Sequence, residues 1–353
     1  MKILRYILFP VVPIYYLVTW IRNILYDLGI KNSKAYDLPI ICVGNLSVGG
    51  TGKTPMIEYL INLLKKDNKV ATLSRGYKRH TKGFIVADES ASALSIGDEP
   101  FQFYKKFNDI IVSVDADRQR GIDSLLNLES RPDLILLDDA FQHRKVKAGF
   151  YVLLTPYSDL YVNDMLLPTG NLREPKNGAN RADVIVVTKC PDGIDNNEKQ
   201  SIIAALKPKA HQKVFFSTIK YSEVLKSATD DKDFNFLKSK SFTLVTGIAN
   251  PKPLVDFLKA KDLNFEHLNF DDHYEFTESD VKLLREKELI ITTEKDYCRL
   301  IFDTKTIKRL AKKYISTLKA GGDGFRSKFV LIPLAEIFLP KNLTKSMQQR
   351  IVK

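Results

Sequence analysis

Residues 47–54 have the types and spacing needed for phosphate chemistry. The segment reads Ser-Val-Gly-Gly-Thr-Gly-Lys-Thr and follows an apolar run. Its glycines let the backbone turn tightly, so that amide N–H groups can point at a phosphate. Lys53 can reach the β- and γ-phosphates of a nucleotide, and the Thr54 hydroxyl can bind Mg²⁺. The predicted nucleotide-binding residues are Ser47, Val48, Gly49, Gly50, Thr51, Gly52, Lys53 and Thr54.

Two adjacent carboxylates form the second chemical feature. Asp138 and Asp139 come directly after the apolar run 134–137. Carboxylates at the carboxyl end of a parallel strand, beside a phosphate loop, are typical Mg²⁺ ligands. We therefore predict Thr54, Asp138 and Asp139 as metal ligands. The loop departs from the usual pattern at Ser47, where a glycine is expected.

Strands and helices alternate along the chain, which predicts an α/β fold. Apolar runs at 38–43, 70–73, 110–114, 134–137, 151–154 and 184–187 indicate strands of a parallel, P-loop NTPase-like sheet with helices on both faces. A second set, with strands at 242–245 and 289–291 and helices at 253–261 and 278–286, indicates a smaller α/β domain. We predict a P-loop domain over 31–222 and a C-terminal domain over 223–353. Either sheet can take the final strand, Phe329–Ile332.

The N-terminal segment 1–30 has the features of a helix at a membrane surface. Residues 6–21 carry no charge, while Lys2 and Arg5 precede them and Arg22 follows. This run is shorter than the about 20 apolar residues that span a bilayer. Aromatic residues, basic flanks and insufficient length together favour an interfacial helix. The alternative is an amphipathic helix packed on the protein's own core.

The composition limits the remaining classes of function. The net charge of +12 suits an anionic membrane or a phosphorylated substrate. The sequence contains no basic run interleaved with aromatic residues, so it gives no indication of nucleic-acid binding. Three widely separated cysteines, Cys42, Cys190 and Cys298, indicate neither a disulfide framework nor a metal site, and they favour a reducing compartment.

The motifs in their order resemble the tetraacyldisaccharide 4′-kinase family, the lipid A 4′-kinases. The stretch from Gly44 to Pro55 carries the first part of this resemblance. The further matching segments are 74–77 (Ser-Arg-Gly-Tyr), 97–100 (Gly-Asp-Glu-Pro), 138–143 (Asp-Asp-Ala-Phe-Gln-His), 167–174 (Leu-Pro-Thr-Gly-Asn-Leu-Arg-Glu), 246–251 (Thr-Gly-Ile-Ala-Asn-Pro), 270–273 (Phe-Asp-Asp-His) and 293–296 (Thr-Glu-Lys-Asp). Together they span about residues 1–300. Ala140 stands where the family usually has glycine.

The resemblance implies an enzyme of lipopolysaccharide synthesis. Members transfer the γ-phosphate of ATP, with Mg²⁺, to the 4′-hydroxyl of a tetraacylated glucosamine disaccharide 1-phosphate. The implied location is the cytoplasmic face of the bacterial inner membrane, as a peripheral or monotopic protein. We expect a lipid substrate and the membrane surface as partners, with no nucleic acid and no obligate protein partner.

The resemblance also maps a catalytic Asp–His pair onto Asp98 and His273. In such a pair, His273 orients the carboxylate and Asp98 accepts the proton of the sugar hydroxyl. Lys53 and Asp139 complete the predicted catalytic set, and Asp139 or His143 is the alternative base. We predict Gln142, His143, Arg173 and Glu174 as contacts to the substrate, with Arg75 and Arg118 as further candidates for a phosphate clamp.

The main alternative is a membrane-recruited regulatory GTPase or NTPase. Residues 188–192 weakly resemble a guanine-reading loop, but Pro191 occupies the position of its aspartate. Hydrolysis of GTP in preference to ATP, with no need for a lipid acceptor, would favour this alternative. A second alternative, a nucleic-acid-binding protein with ATP as a ligand, would show salt-dependent binding to DNA or RNA.

Overall fold

The computed structural model describes residues 5, 7–227, 231–272, 274–302, 329–332 and 337–338. His273, half of the predicted catalytic pair, lies outside these residues. None of the helices in the described ranges combines the length and apolar character needed to cross a membrane.

The strands of the chain fall into two sheets. Nine described strands form the larger sheet, in the order β15-β8-β7-β6-β1-β5-β2-β4-β3. Its pairings are parallel except those of β3 with β4 and of β15 with β8. The strands are β1 (Ile40–Asn45), β2 (Val70–Ser74), β3 (Ile85–Val86), β4 (Ile111–Val114), β5 (Leu134–Asp138), β6 (Phe150–Pro156), β7 (Val184–Cys190), β8 (Lys213–Ile219) and β15 (Ile337–Phe338). The predicted α/β class with a parallel sheet is confirmed.

The smaller sheet contains six described strands in the order β10-β9-β14-β13-β11-β12. These are β9 (Val224–Ser227), β10 (Lys232–Asp233), β11 (Phe242–Thr246), β12 (Phe265–Asn269), β13 (Ile290–Thr293) and β14 (Phe329–Ile332). The chain leaves the larger sheet after Ile219 and enters the smaller one at Val224, and β15 returns to the larger sheet.

Helices follow most of the strands. They are α1 (Val12–Asp27), α2 (Lys53–Leu64), α3 (Ala93–Ile96), α4 (Asp98–Lys106), α5 (Arg118–Leu126), α6 (Asn196–Leu206), α7 (Asn235–Lys238), α8 (Lys252–Ala260), α9 (Glu278–Glu286) and α10 (Glu294–Phe302). Short 3₁₀ turns occupy Phe9–Val11, Tyr161–Asn163 and Lys176–Arg181.

Local sequence explains where the important helices begin. The Asp117 side chain accepts hydrogen bonds from the backbone of Gln119 and Arg120 and so caps α5. α4 has Asp98 and Glu99 in its first turn and two lysines in its last, which suits the helix dipole. Pro13 is tolerated because it lies in the first turn of α1, where no helical hydrogen bond is lost.

The core lies on both faces of the larger sheet. Residues of β1 alternate between the two buried clusters, with Ile40 and Cys42 on one side and Ile41 and Val43 on the other. Gly44 continues this strand where the next segment crosses closely. A Cβ at Gly44 would lie 2.6 Å from the Cβ of Phe141, so a side chain there would push the 138–143 segment away.

Candidate active site

The loop 47–54 connects β1 to α2 at the carboxyl end of β1. β1 lies between β5 and β6 in the sheet, and such a position forms a crevice at the carboxyl ends of the strands. Gly49 and Gly52 have φ angles of +111° and +88°, which a residue with a side chain rarely adopts. Ser47 is not among the residues with positive φ, so its backbone has no need of the usual glycine.

The segment 164–174 lies alongside the loop and fixes its first residues. The Val48 N–H donates to the carbonyl of Asn171 at 2.8 Å, and the Arg173 N–H donates to the carbonyl of Leu46 at 2.7 Å. On the other side, the Thr188 hydroxyl donates to the Thr51 carbonyl at 2.8 Å. The loop is therefore held on one side by backbone hydrogen bonds and on the other by the Thr188 side chain.

Asp139, directly after β5, forms ion pairs with two cationic side chains. Arg173 Nη1 lies 3.0 Å from Asp139 Oδ1, and Lys53 Nζ lies 3.7 Å from Oδ2. Burial alone would raise the pKa of Asp139, but Lys53 and Arg173 outweigh burial and lower it. Asp139 is therefore held as a carboxylate.

Asp138 is in the opposite electrostatic situation. It is buried, and its Oδ2 accepts a hydrogen bond of 3.1 Å from the Ser74 hydroxyl. Burial, followed by the charge of Asp139, raises the pKa of Asp138 to about 6. A cation placed beside this carboxylate would relieve the cost of burying its charge.

The donor set of this site suits Mg²⁺. Among the described residues, no group of three or more His, Cys, Asp or Glu side chains is placed to hold a metal ion by itself. Mg²⁺ in nucleotide sites usually takes one or two carboxylates together with phosphate oxygens and water. Asp138, with the Thr54 hydroxyl at the start of α2, fits this requirement.

Glu174 lies at the centre of a buried polar cluster. It is 2% exposed, and its Oε1 accepts from Arg181 at 2.7 Å and from Gln142 at 3.0 Å. Its Oε2 accepts from Asn23 of α1 at 2.8 Å. Gln142 also donates to the backbone carbonyl of Asn45 at 2.8 Å, at the end of β1. Glu174 therefore connects α1 with the base of the phosphate loop.

Arg118 is buried and His143 is half-buried near the end of β5. Burial, with the nearby Arg118 guanidinium, lowers the pKa of His143 to about 4. Arg118 donates to the backbone carbonyls of Asp115 and Asp138 at 2.9 and 3.2 Å. His143 is therefore neutral at physiological pH, and Arg118 fixes the end of β5 through its backbone.

Asp98 occupies the first position of α4 and meets the smaller sheet's part of the chain. Its Oδ2 accepts from Arg299 Nε at 2.8 Å and from Arg299 Nη2 at 2.7 Å. His273, the partner that the family resemblance assigns to Asp98, is outside the described residues. Asp98 is thus placed where the two sheets' helices meet.

α1 contacts the same site through its polar face. The Tyr15 hydroxyl donates to the Arg173 carbonyl at 2.8 Å, and Arg22 donates to the Gln142 carbonyl. Thr19 and Asn23, on the same face, are buried. The N-terminal helix is therefore part of the wall of the site.

Sequence reasoning missed several residues that support this site. They are Asn23, Asn45, Ser74, Arg181 and Arg299. Ser74 directly follows the predicted run 70–73, as Asp138 follows 134–137, and Asn45 follows the run 38–43 after one glycine, so the strand-end rule that found Asp138 also applied to them. Asn23 and Arg299 act through long-range contacts for which no local sequence pattern exists.

Replacing Asp138 and replacing Asp139 by asparagine should change the free energy of unfolding in opposite directions when a chelator keeps Mg²⁺ away from the protein. The raised pKa of Asp138 means that the folded protein retains a proton that the unfolded chain loses above about pH 4. The free energy of unfolding therefore falls as pH rises from about 4 to about 6. Asp138→Asn should raise that free energy by on the order of 1–3 kcal/mol at pH 7.5 and have little effect near pH 4.

Asp139→Asn is the matched comparison. The lowered pKa of Asp139 contributes stability above about pH 4 that is lost as pH falls through its folded value. This variant should therefore be less stable than wild type at pH 7.5. Urea denaturation at both pH values measures the changes, and destabilisation of similar size by both substitutions would contradict the assignment of charges.

Known proteins similar to this chain give a consistent result. The model of the family Tetraacyldisaccharide-1-P 4'-kinase matches residues 4–320. A tetraacyldisaccharide 4'-kinase from Flavobacterium johnsoniae is 52% identical over 313 residues, covering 88% of this chain and 91% of that protein. One from Bacteroides thetaiotaomicron is 44% identical over 313 residues, covering 83% and 82%.

A solved structure resembles this fold over nearly its full length. It is the "apo" form of LpxK from Aquifex aeolicus in complex with ATP, with a TM-score of 0.75, 30% sequence identity and coverage of 99% of both chains. Together with the match of the family model over most of the sequence, these similarities establish that the chain belongs to the Tetraacyldisaccharide-1-P 4'-kinase family.

Proposed function

We propose that this protein transfers the γ-phosphate of ATP to the 4′-hydroxyl of a tetraacylated glucosamine disaccharide 1-phosphate, a step of lipid A synthesis. The observation that carries the proposal is a phosphate loop, in a chain of this family, whose Lys53 lies 3.7 Å from a carboxylate at the end of β5. That arrangement suits a nucleoside triphosphate with Mg²⁺.

Phosphoryl transfer depends on positioning and on neutralisation of charge. Lys53 and the amides of residues 47–54 would hold the β- and γ-phosphates. Thr54 and Asp138 would hold Mg²⁺, with Asp139 close by; when bound, Mg²⁺ neutralises charge that develops on the phosphates. Asp139 keeps Lys53 and Arg173 in place, because both cations already meet at its carboxylate.

Asp98 is the proposed proton acceptor, with His273 as its partner. The acceptor hydroxyl gives its proton to Asp98 while its oxygen bonds to the γ-phosphorus, and the bond from that phosphorus to ADP breaks. Asp139 is the alternative base, and its carboxylate pairs with both Lys53 and Arg173 beside the phosphate loop.

Gln142, His143, Arg173 and Glu174 are proposed for the acceptor side of the site. Arg173 supplies a guanidinium suited to phosphate. Glu174 contributes by holding Gln142 and Arg181, since its two carboxylate oxygens accept from buried side chains of the protein. Neutral His143 can exchange hydrogen bonds without adding charge.

The protein is proposed to bind the cytoplasmic face of the inner membrane through α1. Several apolar residues of this helix point outward rather than into the core: Ile14 is 65% and Val18 61% exposed, while Thr19 and Asn23 face inward. Further exposed apolar residues of the segment are Ile7, Phe9, Leu17, Trp20, Ile21 and Leu28. An apolar surface of this kind normally has an apolar partner, and acyl chains would supply it.

The GTPase alternative has less support. In this fold the loop after β7 carries Pro191 in place of a guanine-reading aspartate. Near the end of β7, Lys189 Nζ donates to the Gly50 carbonyl at 2.5 Å, so this end of the strand supports the phosphate loop directly.

Lys53→Ala should abolish transfer from γ-labelled ATP to the tetraacyl disaccharide 1-phosphate in detergent. Loss of one preorganised charge at the transferred phosphate costs about a hundredfold or more in rate. Lys66→Ala, at an exposed position just beyond the same helix, is the control and should retain wild-type activity. A folded Lys53→Ala protein with more than about a tenth of wild-type activity would refute the role of the loop.

Asp98→Ala and His273→Ala should each lower kcat strongly, and the double variant should lose little more than the worse single one. Groups that act as a unit give non-additive losses, because either removal already disables the pair. Exposed Asp67→Ala and His211→Ala serve as controls. Additive losses in saturating ATP and lipid would show that the two residues act independently.

Replacing Ile14, Leu17, Val18 and Ile21 together by serine should release the protein from vesicles that contain anionic lipid. The outward face loses its apolar area, while the inward contacts of Tyr15 and Asn23 remain. Val224→Ser with Leu283→Ser removes two exposed apolar residues elsewhere and is the control. If all three proteins sediment equally with vesicles, α1 is not the membrane contact.

A further inference from the structure

Arg299 of α10 is the cationic partner of Asp98, and we propose that it is a positioning residue for this carboxylate. The inference rests on the proposed function, in which Asp98 accepts the proton of the acceptor hydroxyl. Arg299 follows the smaller sheet's strand β13, whereas Asp98 belongs to a helix of the larger sheet. The contact therefore joins the two parts of the chain at the proposed base.

The guanidinium nitrogens of Arg299 contact two groups of partners. Nε and Nη2 lie 2.8 and 2.7 Å from Asp98 Oδ2. Nη1 donates to the Gly247 carbonyl at 2.9 Å and to Asp296 Oδ1 at 3.2 Å. Two N–H groups of one planar guanidinium on the same carboxylate oxygen fix where that oxygen lies.

Arg299 can act in this way because it is itself fixed. Its side chain is 7% exposed, and that of Asp296 is fully buried. Asp296 Oδ2 accepts hydrogen bonds from the Gly247 N–H at 3.0 Å and from the Thr293 hydroxyl at 2.8 Å. The smaller sheet thus supplies a rigid support, and the guanidinium transmits its position to Asp98.

Two further ion pairs run between the same helices and do not involve Asp98. Lys295 Nζ lies 3.0 Å from Glu99, and Glu294 lies 3.0 Å from Lys106. Lys106 also pairs with buried Glu58 at 2.9 Å. These pairs align α10 along α4, so a role of Arg299 in joining the helices must be separated from a role at Asp98.

Glu294→Gln is the matched control for helix docking. It removes an ion pair between α4 and α10, while Lys106 keeps Glu58 as a partner. Arg299→Gln removes the contact to Asp98, and Arg299→Lys keeps the charge but lacks the fork. A lysine ammonium cannot reproduce both the two contacts to Asp98 and those to Gly247 and Asp296.

The experiment measures kcat and the KM for ATP and for the tetraacyl disaccharide 1-phosphate, with thermal melting as a check of folding. Arg299→Gln should lower kcat by about tenfold to a hundredfold, the usual effect of a hydrogen bond to a charged group, with the KM for ATP unchanged within about twofold. Arg299→Lys should show an intermediate kcat, and Glu294→Gln should match wild type in every constant.

The same substitutions in an Asp98→Asn background separate positioning from docking. If Arg299 acts through Asp98, Arg299→Gln should cost little further kcat once the carboxylate is gone, by single-turnover measurement. If Arg299→Gln does not fold, Arg299→Lys is compared in the same two backgrounds and should show the same dependence on Asp98.

Three results would overturn the inference while leaving the proposed function intact. They are a wild-type kcat in folded Arg299→Gln or Arg299→Lys, an equal loss in Glu294→Gln, and a full additional loss in the Asp98→Asn background. If wild type transfers no phosphate to the lipid, the proposed function fails, and the role of Arg299 at its base fails with it.

Discussion

The Asp139 carboxylate, held between Lys53 and Arg173, ties together three segments that are distant in sequence. The turn after β5 supplies the carboxylate, the start of α2 supplies Lys53, and the segment 164–174 supplies Arg173. The backbone of Asp139 has a φ of +47°. Most residues avoid this conformation, and it is often retained at functional sites. Because Asp139 takes both ion pairs, Asp138 is left buried with a raised pKa, and a cation is the natural complement for it.

α1 reverses the usual arrangement of an amphipathic surface helix. Its polar face is buried against Glu174, Gln142 and Arg173, and its apolar face is exposed. Under the proposed membrane binding, the exposed face of α1 would contact the bilayer while its buried face contacts the segment beside the phosphate loop. Asn23 makes this connection direct, since it donates to buried Glu174.

The sequence predicted the larger sheet well because its strands are continuous apolar runs. The predicted run 70–73 is β2 (Val70–Ser74), and 134–137 is β5 (Leu134–Asp138). Strands that are only half buried were missed: β8 (Lys213–Ile219) and β12 (Phe265–Asn269) mix polar and apolar residues. α10 (Glu294–Phe302) was read only as part of a motif, because its first turn is Glu-Lys-Asp and its apolar residues come later.

The same distinction holds for the candidate site. The phosphate loop and Asp138 follow from local rules, since a Gly-rich turn after a strand and a carboxylate at a strand end both have fixed places in such a sheet. Which cation pairs with which carboxylate is set by tertiary packing, so the contact of Arg299 with Asp98, 201 positions apart, had no local signal. The resemblance to a family supplied Asp98 itself, which composition and spacing alone did not single out.

The central claim is that the protein transfers the γ-phosphate of ATP to the 4′-hydroxyl of the disaccharide lipid. The direct measurement is structural analysis of the lipid product by mass spectrometry and ³¹P NMR after incubation with ATP and Mg²⁺, and in parallel with GTP. The account predicts a bisphosphorylated lipid from ATP with the new phosphate at the 4′-position. Release of inorganic phosphate with no change in the lipid, or equal or better turnover of GTP, would contradict it.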